Sequence, residues 1–459
     1  MKEQLNLQNA TPKQLSLPEI DNQLVPTNGT SYFNDPAFAS NKTLPIHRWV
    51  PWIAGFSSDF VKDVLERYVT GKATVLDPFA GVGTTLVEAT LLGYNTYGFE
   101  INPYAALASR VKVNSYKIDT IILNKHITQF RKFYREKTAS DYLPKSHPPK
   151  GFKTRSIFYS PKVLNKVLIL QDYIASIENT SIKDLFTLAF ASTMVSYSNY
   201  SYEPSLGRRV SAGKREILDH PVGEVIIRKL AEFSEDIRWF QNHKPKNNTD
   251  VNIVEASFFE YEKFLVAASV DLIITSPPYL NNYHYNRNTR PHLYWLGFAK
   301  RPSDFKTLEN ANFGKYWQTV REKERVDLQF SLPKSNLAQR LEILRTQKPE
   351  KGIYGGNGWA NYATSYFNDC HKFALGLNYI LKPGGTALVV IGNSILQGIL
   401  IPTDGYFGDI AQSVGLELVR IDIPRATRVG NSIIQSEVRT VKAKKSHQLY
   451  EAIVELRKP

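Results

Sequence analysis

Ser276, Pro277, Pro278 and Tyr279 are the residues whose types and spacing point most directly to chemistry. They follow Val270-Asp-Leu-Ile-Ile274, an apolar run that reads as a short buried strand. Two prolines cannot continue a ladder, and they stiffen the backbone at the strand's carboxyl end. In a parallel α/β sheet that edge is where ligands bind. The group offers a hydroxyl from Ser276, a fixed carbonyl from Pro277 and an aromatic face from Tyr279. Such a set suits a planar ring with an exocyclic amine: acceptors polarise its N–H bonds, and the tyrosine stacks on its face.

A second stretch lies far upstream, Val75-Leu-Asp-Pro-Phe-Ala-Gly-Val-Gly-Thr-Thr85. Residues 73–76 read as a strand that ends on Asp77. Gly81 and Gly83 let the backbone turn tightly, and Thr84 opens a helix through Leu92. Such a loop brings amide hydrogens and a helix amino terminus to a ligand. Leu86 stands where a dinucleotide fingerprint requires its third glycine, which argues against a pyrophosphate and fits a nucleoside without phosphates. Thr96 to Glu100 reads as the next strand. Glu100 follows Asp77 by about twenty residues, the offset of a carboxylate that holds ribose hydroxyls. Asn102 and Pro103 then cap and start a helix.

Together the two stretches resemble the amino-directed DNA methyltransferases that use S-adenosylmethionine. In that family Asp-Pro-Phe-x-Gly-x-Gly-Thr forms the cofactor loop. Ser-Pro-Pro-Tyr is most typical of its cytosine-N4 enzymes, and Asp or Asn at the first position is commoner in adenine-N6 enzymes. The resemblance implies a cofactor site of Asp77, Pro78, Phe79, Ala80, Gly81, Gly83, Thr84, Thr85, Glu100, Ile101 and Asn102, with Asp77 as partner of the cofactor's ammonium. It implies a catalytic group of Ser276, Pro277, Pro278 and Tyr279. The reaction is then direct methyl transfer to cytosine N4 in double-stranded DNA, with the target base flipped out and held by Tyr279. A cognate restriction endonuclease is an implied partner. Alternatives are an adenine-N6 enzyme, an RNA base-amine methyltransferase and an inactive DNA-recognition subunit.

The segment from Pro45 to Tyr68 resembles the one that packs over the methionine end of the cofactor in this family, although Trp49 and Trp52 also suit an ordinary core. The Asp that often contacts adenine after the third strand, Val251–Val254, is missing. Glu255 or Ser257 stands in its place. Cytosine-C5 chemistry needs an activated thiolate, typically in Pro-Cys. Cys370 lies between Asp369 and His371 in a helical pattern and reads as a structural thiol.

Composition agrees with this reading. The chain has 459 residues, a net charge of +14 and a pI of about 9.4, which favours a polyanionic partner. No apolar run approaches the roughly 18 residues of a bilayer span, and the polar amino terminus has no signal-peptide core, so a cytoplasmic location and no membrane contact are expected. One cysteine excludes an intrachain disulfide framework, and His284 and His292 lack a third ligand for a metal.

Strands alternating with helices imply a doubly wound α/β sheet. The resemblance adds a Rossmann-like sheet of seven strands with an antiparallel last strand and a mostly helical insertion. Residues 1–44 read as an extended arm, 45–114 as the cofactor-loop part, and 115–249 as the helical insertion and candidate target-recognition region. Residues 250–299 read as the catalytic-loop part, 300–365 as a second insertion with a flexible loop at 348–358, and 366–459 as the closing part. Within the last, a helix from Tyr366 to Leu381, a strand from Thr386 to Ile391 and final strands at 416–423 and 432–443 are expected. Arg208, Arg209, Arg287 and Arg290 are the candidate nucleic-acid contacts.

Overall fold

The apolar runs form the middle of one sheet. The computed structural model describes residues 31–52, 55, 57–202, 205–280, 285–315, 317–427 and 449–459. Seven strands compose the sheet: β1 (Thr74–Asp77), β2 (Asn95–Phe99), β3 (Val251–Val254), β4 (Val270–Thr275), β5 (Leu381–Gly392), β6 (Glu417–Thr427) and β7 (Leu449–Arg457). Their order is β6-β7-β5-β4-β1-β2-β3. β1 pairs parallel with β2 and β4, β2 with β3, and β4 with β5. β7 runs antiparallel between β5 and β6.

Alternate residues of each strand face opposite sides, and each side is covered. Val75, Leu272, Ile274, Leu388 and Val390 meet Phe60, Val61, Val64 and Leu65 of helix α1 (Ser58–Tyr68). Leu76, Ile273, Ala387, Val389 and Ile391 belong to the core that holds Phe373, Leu377 and Ile380. This explains why the central strands read as continuous apolar runs. Ser57 caps α1 by accepting from the Asp59 amide, and Asn102 caps the third helix by accepting from Tyr104 and Ala105.

From β1 the sheet grows outward through β2 to β3, then returns to β4 on the other flank of β1. The carboxyl ends of β1 and β4 therefore stand side by side at the point where the winding reverses, the usual ligand crevice of such sheets. Helices α2 (Thr84–Leu91) and α3 (Pro103–Asn114) follow β1 and β2.

The first insertion contains α4 (Thr120–Thr138), α5 (Pro161–Ser176), α6 (Thr180–Thr193) and α7 (Val222–His243), with a short hairpin of Tyr200–Tyr202 and Leu206–Arg208. Its Phe130, Phe186, Phe190 and Phe233 share one core with Val82, Leu86 and Tyr104. The insertion thus packs directly on the loop-bearing side of the sheet. Phe313, Val320, Leu337 and Leu341 of the second insertion join the opposite core.

Several expectations change. Residues 31–44 are not an extended arm: Phe33 is buried, and Ser31 and the Phe33 amide bind Asp422 at 2.6 and 3.0 Å. The helix expected from Tyr366 begins ten residues earlier, as α8 (Gly356–Ile380), and Pro349–Tyr354 forms a 3-10 turn within the expected loop. Three glycines near the start hid that onset. The strand expected at 432–443 lies outside the described residues, and the last described strand is β7. Helix α9 (Thr403–Ser413) precedes β6. No helix among the described residues is long and apolar enough to cross a membrane.

Candidate active site

The cleft at the winding reversal occupies about 690 Å³ including its open mouth. Pro78, Phe79 and Gly81 of the loop, Glu100, Ile101 and Asn102 after β2, and Ser276 and Pro278 after β4 all line it. The two distant stretches therefore meet in one cavity.

The loop owes its shape to Gly81 and Gly83, at φ +51 and +84. A Cβ at Gly83 would lie 2.6 Å from Ser109 Oγ, so α3 packs too closely for any side chain there. Gly83 is also the amino-terminal cap of α2 and supplies no side-chain cap.

Asp77 stands behind the loop. Its carboxylate accepts from Thr275 Oγ1 at 2.6 Å, Thr85 Oγ1 at 2.8 Å and the Phe79 amide at 3.0 Å. It is 1% exposed and burial pushes its pKa up to about 6, although those hydrogen bonds oppose the rise. The structure places this acid as a clamp between β1, β4 and α2, not on the cleft wall where the ammonium role would put it. Ala80, Gly83, Thr84 and Thr85 are likewise behind the wall, and Ala80 is fixed by its amide donating to the Phe99 carbonyl at 2.9 Å.

Glu100 does face the cleft. Its two oxygens accept from the Gly81 amide at 2.8 Å and the Asn102 amide at 2.7 Å. Burial raises its pKa to about 7, and the amide bonds counter part of that rise. One carboxylate thus ties the loop to the end of β2 on the cleft wall.

The tetrapeptide is held on three sides. Tyr366 Oη of α8 donates to the Pro278 carbonyl at 3.0 Å. Pro277 is buried. Tyr279 Oη donates to Glu451 Oε1 of β7 at 3.2 Å and lies 3.5 Å from Ser276 Oγ. The Tyr279 ring passes so near Gly392 that a Cβ there would sit 3.1 Å from it. The serine hydroxyl and the tyrosine face are therefore positioned by the closing strands as well as by the prolines.

Trp49 and Trp52 stand in different surroundings. Trp49 is buried, stacks on Phe233 at 4.1 Å and donates to Asp236 at 2.8 Å. Trp52 lines the cleft beside Gly81. After β3, Ser257 lines the cleft, whereas Glu255 turns to Arg110 at 3.4 Å. Phe258, Asn286, Asn312 and Phe313 complete the wall. Asn312 and Phe313 come from the second insertion and carry no motif, so only three-dimensional packing reveals them. Glu451 and Tyr366 were equally silent in sequence.

The candidate nucleic-acid residues separate. Arg208 and Arg287 are exposed. Arg209 lines a second recess of about 1410 Å³, mouth included, with Tyr200, Tyr202, Lys214 and Asn288; Trp52 borders both cavities. Arg290 is instead engaged within the fold: it donates to the Lys153 carbonyl at 3.1 Å and stacks near Phe152 and Tyr294. Cys370 is buried in α8, and desolvation holds its thiol well above the usual range, consistent with an inert side chain. Among the described residues no group of three or more His, Cys, Asp or Glu side chains is placed to hold a metal ion.

The sequence of residues 32–110, which contains the cofactor-like loop, matches the family model for N6/N4 methyltransferases, described as DNA methylase. The type II methyltransferase M.BsoBI of Geobacillus stearothermophilus is 26% identical over 434 residues, covering 86% of this chain and 83% of the relative. The chain is thus similar to N6/N4 DNA methyltransferases over residues 32–110 and to type II methyltransferases over most of its length. The type II methyltransferase M.AvaI of a Nostoc species is 24% identical over 418 residues, covering 86% of the chain and 84% of the relative. M.MvaI of Kocuria varians, also a type II methyltransferase, is 24% identical over 379 residues, with 78% and 79% covered. The alignments run through both insertions as well as the sheet, so the likeness extends beyond the short motifs. The seven-stranded sheet with its antiparallel β7 is the frame that this likeness implies, and the chain carries its loop and tetrapeptide at the reversal point of that frame.

Proposed function

We propose that the enzyme methylates the exocyclic N4 of cytosine in double-stranded DNA from S-adenosylmethionine, as the modification half of a type II restriction-modification pair. The observation that carries this is the shared cleft: Gly81 of the loop and Ser276 and Pro278 of the tetrapeptide line one cavity. The relatives' names support the type II assignment, and Ser at the first position of the tetrapeptide favours cytosine.

The cleft's residues fit the cofactor. Glu100 offers a carboxylate to ribose hydroxyls, Phe258 and Phe313 offer aromatic walls for adenine, and Trp52 beside Gly81 suits the methionine end. The bound cofactor supplies an electrophilic methyl group. The chain's own task is to place and polarise the amine. Ser276 Oγ and the Pro277 carbonyl accept from its N–H bonds and free its lone pair from the ring, while Tyr279 stacks on the extruded base. Tyr279 is held for this by Glu451 before any base arrives, which keeps the ordering cost out of the binding step.

Residues 45–114, 250–299 and 366–459 form the catalytic body in this reading, and the insertion at 115–249 reads the target. Arg208, Arg209 and Arg287 contact phosphates, and the second recess lies along the strand's path. Purified enzyme incubated with methyl-labelled S-adenosylmethionine and mixed-sequence duplex DNA, followed by nucleoside mass spectrometry, tests the proposal. N4-methylcytosine is expected. N6-methyladenine alone would move the assignment to adenine, and an unmarked duplex would overturn it.

A further inference from the structure

Lys112 of α3 is fully buried, a rare place for an amine. Its Nζ donates to the Val82 carbonyl at 2.9 Å. Val82 is the residue between Gly81 and Gly83, at the centre of the glycine loop. We infer that Lys112 is a positioning residue for cofactor binding, fixing the Val82–Gly83 peptide so that its carbonyl points into the protein and away from the cleft. The inference rests on the reading of the cleft as the cofactor site.

The need for such a residue follows from the loop itself. Gly83 stands at φ +84, where glycine tolerates several backbone states. The Val82–Gly83 peptide is therefore free to flip unless something holds it. A flip would break the contact of the Val82 carbonyl with Lys112 and the bond from the Gly83 amide to Ala80, and so displace Gly81, the neighbouring residue that lines the cleft. The Gly83 amide donates to the Ala80 carbonyl at 2.7 Å, which secures one side of the peptide, and Lys112 secures the other. Ser109, one turn earlier on α3, packs against Gly83. A single helix thus sets the loop by contact at Gly83 and by a hydrogen bond at Val82.

The charge is supported from the same side. Glu88 of α2 attracts the ammonium and shares a 2.6 Å hydrogen bond with His47, while Lys229 of α7 repels it. Burial brings the Lys112 pKa down to about 7. Its amine donates in either protonation state, so the positioning role persists across the neutral range. A purely structural buried cation would not need its donor aimed at this one carbonyl, and a methionine of similar length would fill the same space.

The test is calorimetric titration of S-adenosylhomocysteine into wild-type enzyme and Lys112→Met, with thermal unfolding of each without ligand. The expected result is at least a tenfold weaker affinity in the variant, a matching rise in KM for S-adenosylmethionine, and a retained kcat at saturating cofactor. A purely structural role would instead lower the active fraction, and so kcat, at unchanged KM. Should Lys112→Met not fold, Lys112→Gln applies: its amide falls about one bond short of Val82, and the same loss of affinity is expected. Wild-type affinity in whichever variant folds would overturn the inference. Failure of the wild-type enzyme itself to bind S-adenosylhomocysteine would instead contradict the cofactor reading of the cleft.

Discussion

Thr275 Oγ1 donates to Asp77 Oδ1 at 2.6 Å, joining the last residue of β4 to the last residue of β1. The residue after Thr275 begins the tetrapeptide, and the residue after Asp77 begins the glycine loop. One buried hydrogen bond therefore sets the spacing between the two halves of the site. Thr275→Val keeps the shape and removes the donor. It should destabilise the fold by about 1.5–3 kcal/mol, the range for a hydrogen bond to a charged group, and lower the transfer rate. Denaturant unfolding and steady-state turnover check this, and a variant as stable and active as wild type would remove the clamp from the account.

Asp77 also gives the fold a pH signature. Its folded pKa, about 6, lies above the ordinary carboxylate value of 3.8. The folded chain therefore holds a proton that the unfolded chain has lost between those values. The associated stability is fully present below about pH 4 and disappears as pH rises through 6. Asp77→Asn should flatten that part of the profile. Comparison of unfolding free energies at pH 4.5 and 7.5 in the two proteins reads the difference.

Glu100 predicts a pH effect on the cofactor. With its pKa near 7, it gains a proton as pH falls below neutrality and becomes a poorer acceptor for ribose hydroxyls. S-adenosylhomocysteine should bind more weakly at pH 6 than at pH 8. Glu100→Gln should weaken binding by about tenfold at pH 8, near 1.4 kcal/mol, and remove the pH dependence. Equal slopes in both proteins would take Glu100 out of the ribose site.

Much of this was legible in the chain because strands β1 and β4 are short, largely buried on both faces and end on polar residues, and β2 is followed directly by Glu100. Their apolar runs and the residues that close them fall together in sequence. Asp77 shows the limit: its type and place were legible, but its engagement by Thr85 and Thr275 depends on strand neighbours far apart in the chain. Arg290 looked like a phosphate ligand because it sits among Asn and Arg, whereas Lys153 and two aromatic rings occupy its guanidinium. Glu451, Phe313 and Tyr366 belong to no local pattern. They reach the site only through packing.

Within the tetrapeptide, Ser276→Ala should slow transfer by about 10²-fold, the usual scale for one preorganised hydrogen-bonding group. Tyr279→Ala should instead weaken the hold on an extruded base. A 2-aminopurine at the target position reports extrusion separately from chemistry. Wild-type turnover in both variants would remove the tetrapeptide from the mechanism.

The most direct test of the shared cleft is a crystal structure of the enzyme with S-adenosylhomocysteine. The ligand's ribose should lie at Glu100 and its sulfur between Gly81 and Pro278, facing Ser276. A ligand bound elsewhere, or one in the cleft whose sulfur points away from Ser276, would contradict the account.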